Sequence, residues 1–125
     1  MSYQLPFEKL EVWHLSRQLV KEVYCITKTF PKEEQYGLSS QIQRAVISVP
    51  SNIAEGTSRT SYKDQAHFTQ VAFSSLMEVN CQLILAIDLD YLSSERYDKI
   101  KALCSKVANM LNALRKSQLR RSSDG

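Results

Sequence analysis

Ser51, Asn52, Glu55, Arg59 and Ser61 fall within eleven residues of one another, in the stretch Ile42–Ser61 (IQRAVISVPSNIAEGTSRTS). Hydroxyl, amide, carboxylate and guanidinium in so short a span are the side-chain types an active-site loop would gather. The surrounding pattern is helical, however, and on a helix Ser51 and Glu55 stand one turn apart, as do Asn52 and Gly56. Pro50 lies inside that pattern, where it deletes a backbone hydrogen bond and frees the carbonyl of Val46. A local hydrogen-bond system that repairs a bent helix accounts for Pro50, Ser51, Asn52, Glu55 and Gly56 without any substrate.

Other residues with chemical potential do not form a recognisable constellation. His14 and His67 lie in different helical segments without a Glu-x-x-His or His-x-x-x-His partner, so no dimetal pattern is present. Gly37, Gly56 and Gly125 cannot build a phosphate-cradling loop, and the serines offer no nucleophile elbow. Glu78 and Asn80 sit beside an apolar helix face, where an interhelical hydrogen bond is the expected role. Cys25, Cys81 and Cys104 are odd in number, widely spaced and set in apolar patterns, so three small buried hydrophobes are expected. The chain is therefore expected to be non-enzymatic, with no cofactor, no metal and no small-molecule substrate.

Charge leads to a different candidate chemistry. The net +3 comes from 16 basic and 13 acidic residues. Arg115, Lys116, Arg120 and Arg121, set against Asp124, account for all of it, so the chain up to Leu114 is balanced. Arg44, Arg59 and Lys63 flank the central motif. These seven residues are the candidate contacts to nucleic acid, because phosphate affinity grows with every counterion released and would multiply in an oligomer. The opposing reading is solvated charge on a helical surface, and Arg17 and Lys21, one turn apart, are read that way.

These residues require elements to position them, and the chain of 125 residues reads as one domain over 1–125. Val12, Ser16, Leu19, Val23, Ile26 and Phe30 make one helical stripe after Pro6, which predicts a helix over about 8–29. Leu38, Ile42, Ala45, Val49 and Ile53 predict a second over 38–55, ended by Gly56 in a left-handed conformation. Pro50 leaves two readings, a kinked continuous helix or a helix that restarts, and the persistence of the apolar face favours the kink. Ser61 and Asp64 cap a third helix over 62–90. Near Leu83–Ile87 it is apolar almost all round, which points either to oligomer contacts or to cover by another helix. Tyr97, Ile100, Cys104, Val107, Leu111 and Leu114 predict a fourth over 94–117, followed by a fraying basic tail, 115–125. The fold class is all-α: an antiparallel up-down-up-down four-helix bundle with a kinked second helix. The longest purely apolar run is Leu83–Ile87, so no membrane partner is expected, and the cytoplasm is the default location.

Leu10-Glu11-Val12-Trp13, Phe30-Pro31, Tyr36-Gly37-Leu38, Gln41-Ile42 with Arg44-Ala45, and above all Val49-Pro50-Ser51-Asn52-Ile53-Ala54-Glu55-Gly56 with Arg59 and Ser61, carry a family resemblance. The chain resembles the four-helix bundle proteins of the 23S rRNA intervening-sequence family, from Leu10 to Leu114. Gln43 stands where an Arg is common there, and Ser74 where Gly is common. The resemblance implies a ring-forming homo-oligomer, with a pentamer favoured. A related branch is the accessory variability determinant of diversity-generating retroelements, which implies nucleic acid or a reverse-transcriptase-like protein as partner. The expected function is a non-catalytic oligomeric module that binds nucleic acid, or a nucleic-acid enzyme, through basic ring surfaces. The alternative is a structural or protein-protein interaction module with no nucleic-acid binding.

Overall fold

A computed structural model of the protein describes residues 3–124, and among them there are four α-helices and no strand. The helices are α1 (Glu11–Thr27), α2 (Leu38–Thr57), α3 (Tyr62–Asp88) and α4 (Ser94–Asp124). Each buries the stripe its spacing requires. Leu19, Val23, Ile42, Val46, Val49, Leu76, Val79, Leu83, Val107 and Leu111 are fully enclosed, and burial of side chains of this size contributes about 1.5–3 kcal/mol each. These residues and their neighbours form one continuous core.

Helix ends follow local chemistry. Pro6 opens a 3₁₀ turn, Pro6–Lys9, whose Glu8 carboxylate accepts from the Leu5 N–H, so α1 itself begins only at Glu11. It closes at Thr27, where the Thr27 and Thr29 hydroxyls donate to the carbonyls of Tyr24 and Ile26. Ser61 Oγ accepts from the Asp64 N–H and caps α3, and Ser93 does the same for Arg96 at the start of α4. At the end of α3, Asp90 adopts φ 63°, with Tyr91 N–H on Ala86 O and Asp90 N–H on Ile87 O. This is a Schellman closure with Asp where Gly is usual.

Two expectations fail at helix ends. Gly56 does not terminate α2 in a left-handed conformation: the helix continues to Thr57, and no described glycine has positive φ. The basic tail does not fray either, and α4 runs through Asp124. Buried Gln118 accepts from Thr69 Oγ1 at 2.8 Å, and the Arg121 guanidinium lies 5.7 Å from the Tyr62 ring centre. The first turns of α3 thus support the last turns of α4.

The helices are not equally intimate. α2 packs most closely on α3 and α3 on α4, whereas α1 stands further out with an open groove along each edge. Small residues face one another across the α2–α3 seam. A Cβ on Gly56 would lie 3.3 Å from Phe68 Cβ and 3.4 Å from the Gln65 carbonyl, so α3 crosses where a side chain would stand.

Of the three cysteines only Cys104 is buried. Cys25 and Cys81 are exposed, because their positions in the apolar pattern fall on the outer edge of each stripe. Burial pushes the Cys104 thiol up to about 11, despite a hydrogen bond with Asn80 that acts in the opposite direction. Against an ordinary value of 9.0, the neutral thiol's contribution to stability is complete below pH about 9 and lost as pH rises through about 11. Unfolding free energies at pH 8 and 10.5 are therefore expected to fall less steeply for Cys104→Ala than for the unmodified chain. Equal losses in the two proteins would show that this thiol is not the titrating group.

Candidate nucleic-acid interface

The polar residues of the central motif do not converge on a substrate-sized space. Pro50 lies within an uninterrupted α2. Asn52 Nδ2 donates to the Ser48 carbonyl and to Ser48 Oγ, both at 2.8 Å, and Ser48 Oγ meets Ser75 Oγ of α3 at 2.8 Å. The bonding thus recruits the Ser48 carbonyl and α3 rather than the Val46 carbonyl freed by proline. Ser51 is exposed, and Glu55 turns to the surface, where its carboxylate takes Arg59 Nη2 at 2.9 Å. One motif therefore holds two separate arrangements, a seam to α3 and a surface ion pair.

The remaining chemical candidates are also dispersed. His14 Nε2 contacts the Glu8 carbonyl at 2.7 Å, and the His67 ring packs edge-on against Phe68. No group of three or more His, Cys, Asp or Glu side chains suited to a metal occurs among the described residues. Asn80 bridges helices: its Nδ2 donates to Leu76 O and its Oδ1 accepts from Tyr97 OH at 2.9 Å. Glu78 does not join it, being exposed on the opposite side of α3.

The basic candidates separate into groups. Arg59, Lys63, Arg115, Lys116, Arg120 and Arg121 belong to the end of the bundle where α2 finishes, α3 begins and α4 finishes. Three observations tie that end together: Arg59 lies 4.6 Å over the Phe68 ring, Gln65 Nε2 donates to the Arg59 carbonyl, and Arg121 lies over Tyr62. Arg44 is not part of it. It stands thirteen residues before the end of α2 at Thr57, about 20 Å at ~1.5 Å per residue, and Arg59 lies beyond that end. Arg115 is half-buried, with Nε enclosed and without a hydrogen-bond partner, so it is not a free surface cation. Arg59 is already paired with Glu55, and the Asp64 carboxylate adjoins Lys63 in sequence. Lys63, Lys116, Arg120 and Arg121 are exposed, and Lys116 and Arg120 border a shallow hollow of about 430 Å³.

A second basic surface escaped the sequence reading. Arg17 and Lys21 of α1 and Arg96 and Lys99 of α4 line a groove of about 650 Å³, together with Glu22, Cys25 and His14. Each pair is legible on its own helix as one turn of surface charge. Their alignment is not, because it depends on how α1 and α4 pack across a long sequence separation.

The model of the family described as 23S rRNA-intervening sequence protein matches residues 8–113. That match includes the Asn52–Ser48 motif and stops short of the basic turns Arg115–Arg121. Among solved structures, the chain is similar to a protein of unknown function from the S23 ribosomal protein family of Bacteroides thetaiotaomicron VPI-5482. The TM-score is 0.77 at 24% identity, covering 84% of this chain and 95% of that one. A likeness at that identity shows the shared fold. Comparison with curated proteins found no match.

Asn52→Ala separates an architectural motif from a recognition motif. It is expected to lower unfolding free energy by about 1 kcal/mol, the size of a part-buried hydrogen bond, without a separate effect on partner binding. Unchanged stability with lost binding, measured by chemical denaturation and a binding titration, would make the motif a recognition site.

Proposed function

The chain belongs to the 23S rRNA-intervening sequence protein family, and from that premise we propose that it is a non-catalytic, ring-forming oligomeric module that binds nucleic acid through its basic bundle end. The proposed bundle is antiparallel, up-down-up-down. Contacts that run in opposite directions along neighbouring helices support this: Gln41 with Gln82 and Ser48 with Ser75, then Thr69 with Gln118 and Asn80 with Tyr97. The proposed ring is a homopentamer, the state favoured by the family resemblance.

The observation that carries the binding proposal is the exposure of Lys63, Lys116, Arg120 and Arg121 at one end, where Tyr62 adds an exposed aromatic ring. Cations in that number are thin for one chain, but in a ring each is repeated in every subunit, and phosphate affinity rises with each contact. The positive start of α3 is set against the negative ends of α2 and α4, so the field at this end rests on the side chains. The family's description makes structured RNA the first ligand to test. A reverse-transcriptase-like protein bound to such a nucleic acid is a compatible partner.

A second reading, a protein-interaction module without nucleic-acid binding, is favoured by the acid already placed at that end. Glu55 holds Arg59, and Asp64 stands beside Lys63.

Titration of a labelled RNA hairpin and a DNA duplex at ~50 and ~200 mM salt distinguishes the two. Binding to at least one is expected at the lower salt, with affinity falling steeply at the higher. Replacing Lys116 and Arg120 by Ala should reduce the salt slope by about 1 for each phosphate contact removed. No binding to either nucleic acid at ~50 mM salt would overturn the proposal and leave the protein-interaction reading.

A further inference from the structure

α3 carries an apolar face that no other helix covers. Met77, Ile84, Leu85 and Leu89 are 42%, 46%, 47% and 52% exposed, and Cys81 is exposed between them. The spacing of Met77, Cys81, Ile84, Leu85 and Asp88 places them on one side of the helix. The opposite side holds Leu76, Val79 and Leu83 in the core. Between Ser74 and Leu89 the only charged residues are Glu78 and Asp88, both acidic and both exposed. The result is an apolar ridge that carries two carboxylates, Glu78 at its flank and Asp88 near its end, and no cation.

A complementary surface lies elsewhere on the same chain. Phe7, Trp13, Val20, Ile47, Pro50 and Ala54 line a groove of about 530 Å³ between α1 and α2, and Ile47 is 44% exposed in it. Arg17 and Lys21 are the charged residues of that lining, both basic. Arg17 stays at the groove by stacking over Trp13, 4.9 Å from the ring centre. The result is an apolar trough with a basic edge.

We propose that the α3 ridge of one protomer docks in the α1–α2 groove of a second copy of this chain, with Glu78 and Asp88 facing Arg17 and Lys21. The inference rests on the oligomeric reading above and specifies its interface. Charge selects the head-to-tail arrangement. Ridge on ridge would oppose Glu78 and Asp88 to like charges, and groove on groove would do the same to Arg17 and Lys21. Two different patches meeting in this way make a heterologous contact, which closes into a ring when the rotation between copies permits. Pro50 and Ala54 thereby acquire a second role: the family motif faces α3 through Ser48 and Asn52 and lines the docking groove on its outer side.

Lipid is the competing occupant of the ridge. α3 is long and apolar enough, by length and composition, to cross a membrane, with 33% of its most apolar window buried inside the protein. The opposing argument is polar: Thr69, Asn80 and Gln82 on α3 bond to Gln118, Tyr97 and Gln41 of its neighbours, as a helix of this bundle.

The test uses two exposed positions, Ile84→Glu on the ridge and Ile47→Glu in the groove, with native mass measured by light scattering and helicity by circular dichroism. Each variant alone is expected to be a folded monomer. Their mixture is expected to form a one-to-one dimer and nothing larger, because each retains one intact face. Met77→Lys provides an independent ridge variant if Ile84→Glu loses helicity. Cys81 should resist thiol labelling in the unmodified assembly and react in the monomeric variants, while Cys25 reacts in both. An oligomer whose mass is unchanged in folded ridge and groove variants would overturn this interface and leave the oligomeric reading intact. A mixture that fails to dimerise would overturn the head-to-tail contact. A monomeric unmodified chain would overturn both the interface and the ring, and co-flotation of the unmodified chain with neutral phosphatidylcholine vesicles would assign the ridge to lipid.

Discussion

The close approach of α2 to α3 is the constraint on which the other features depend. At Gly56 the two helices leave no ordinary space for a β-carbon, with Phe68 Cβ 3.3 Å from where it would stand. Two turns earlier the side chains across the seam are hydroxyls, Ser48 and Ser75, joined at 2.8 Å. Larger residues at these positions would separate the helices and strain a closely packed core. Because α2 and α3 are drawn together while α1 stands further out, grooves open along both sides of α1.

This seam also accounts for the side-chain types of a motif with the appearance of an active site. Asn52 is occupied by Ser48, and Glu55 by Arg59. Pro50 removes one backbone hydrogen bond from α2, yet the helix continues, held on one side by the buried Val46, Val49 and Ile53. A proline within a helix costs roughly 3 kcal/mol when uncompensated. Packing on both flanks, together with the Asn52 side-chain bonds, offsets that loss.

Much of the bundle was legible in the sequence because its signal is local and periodic. The stripe Val12, Ser16, Leu19, Val23, Ile26 and Phe30 is buried throughout, and so is Ile42, Ala45, Val49 and Ile53. Ser61 caps where its spacing to Asp64 indicated. What periodicity could not convey is contact between helices. Gly56 resembles a helix terminator until α3 is seen crossing it. The chain after Leu114 resembles a tail until Thr69 is seen holding Gln118. Arg115 has the composition of a surface cation and a half-buried position. The grouping of Arg17 and Lys21 with Arg96 and Lys99 has no local signature, whereas the apolar stretch Leu83–Ile87 already marked the part of α3 that proves uncovered at Ile84 and Leu85.

The close α2–α3 seam is tested most directly by the unfolding free energies of Gly56→Ala and Gly56→Val in chemical denaturation. Alanine is expected to be nearly neutral, since its helix propensity, better than glycine's by about 1 kcal/mol, offsets contacts a few tenths of an ångström too short. Valine is expected to cost about 1–3 kcal/mol, the range for overfilling a packed interior. A valine variant as stable as the alanine variant would contradict the close approach, and with it the assignment of the motif to architecture.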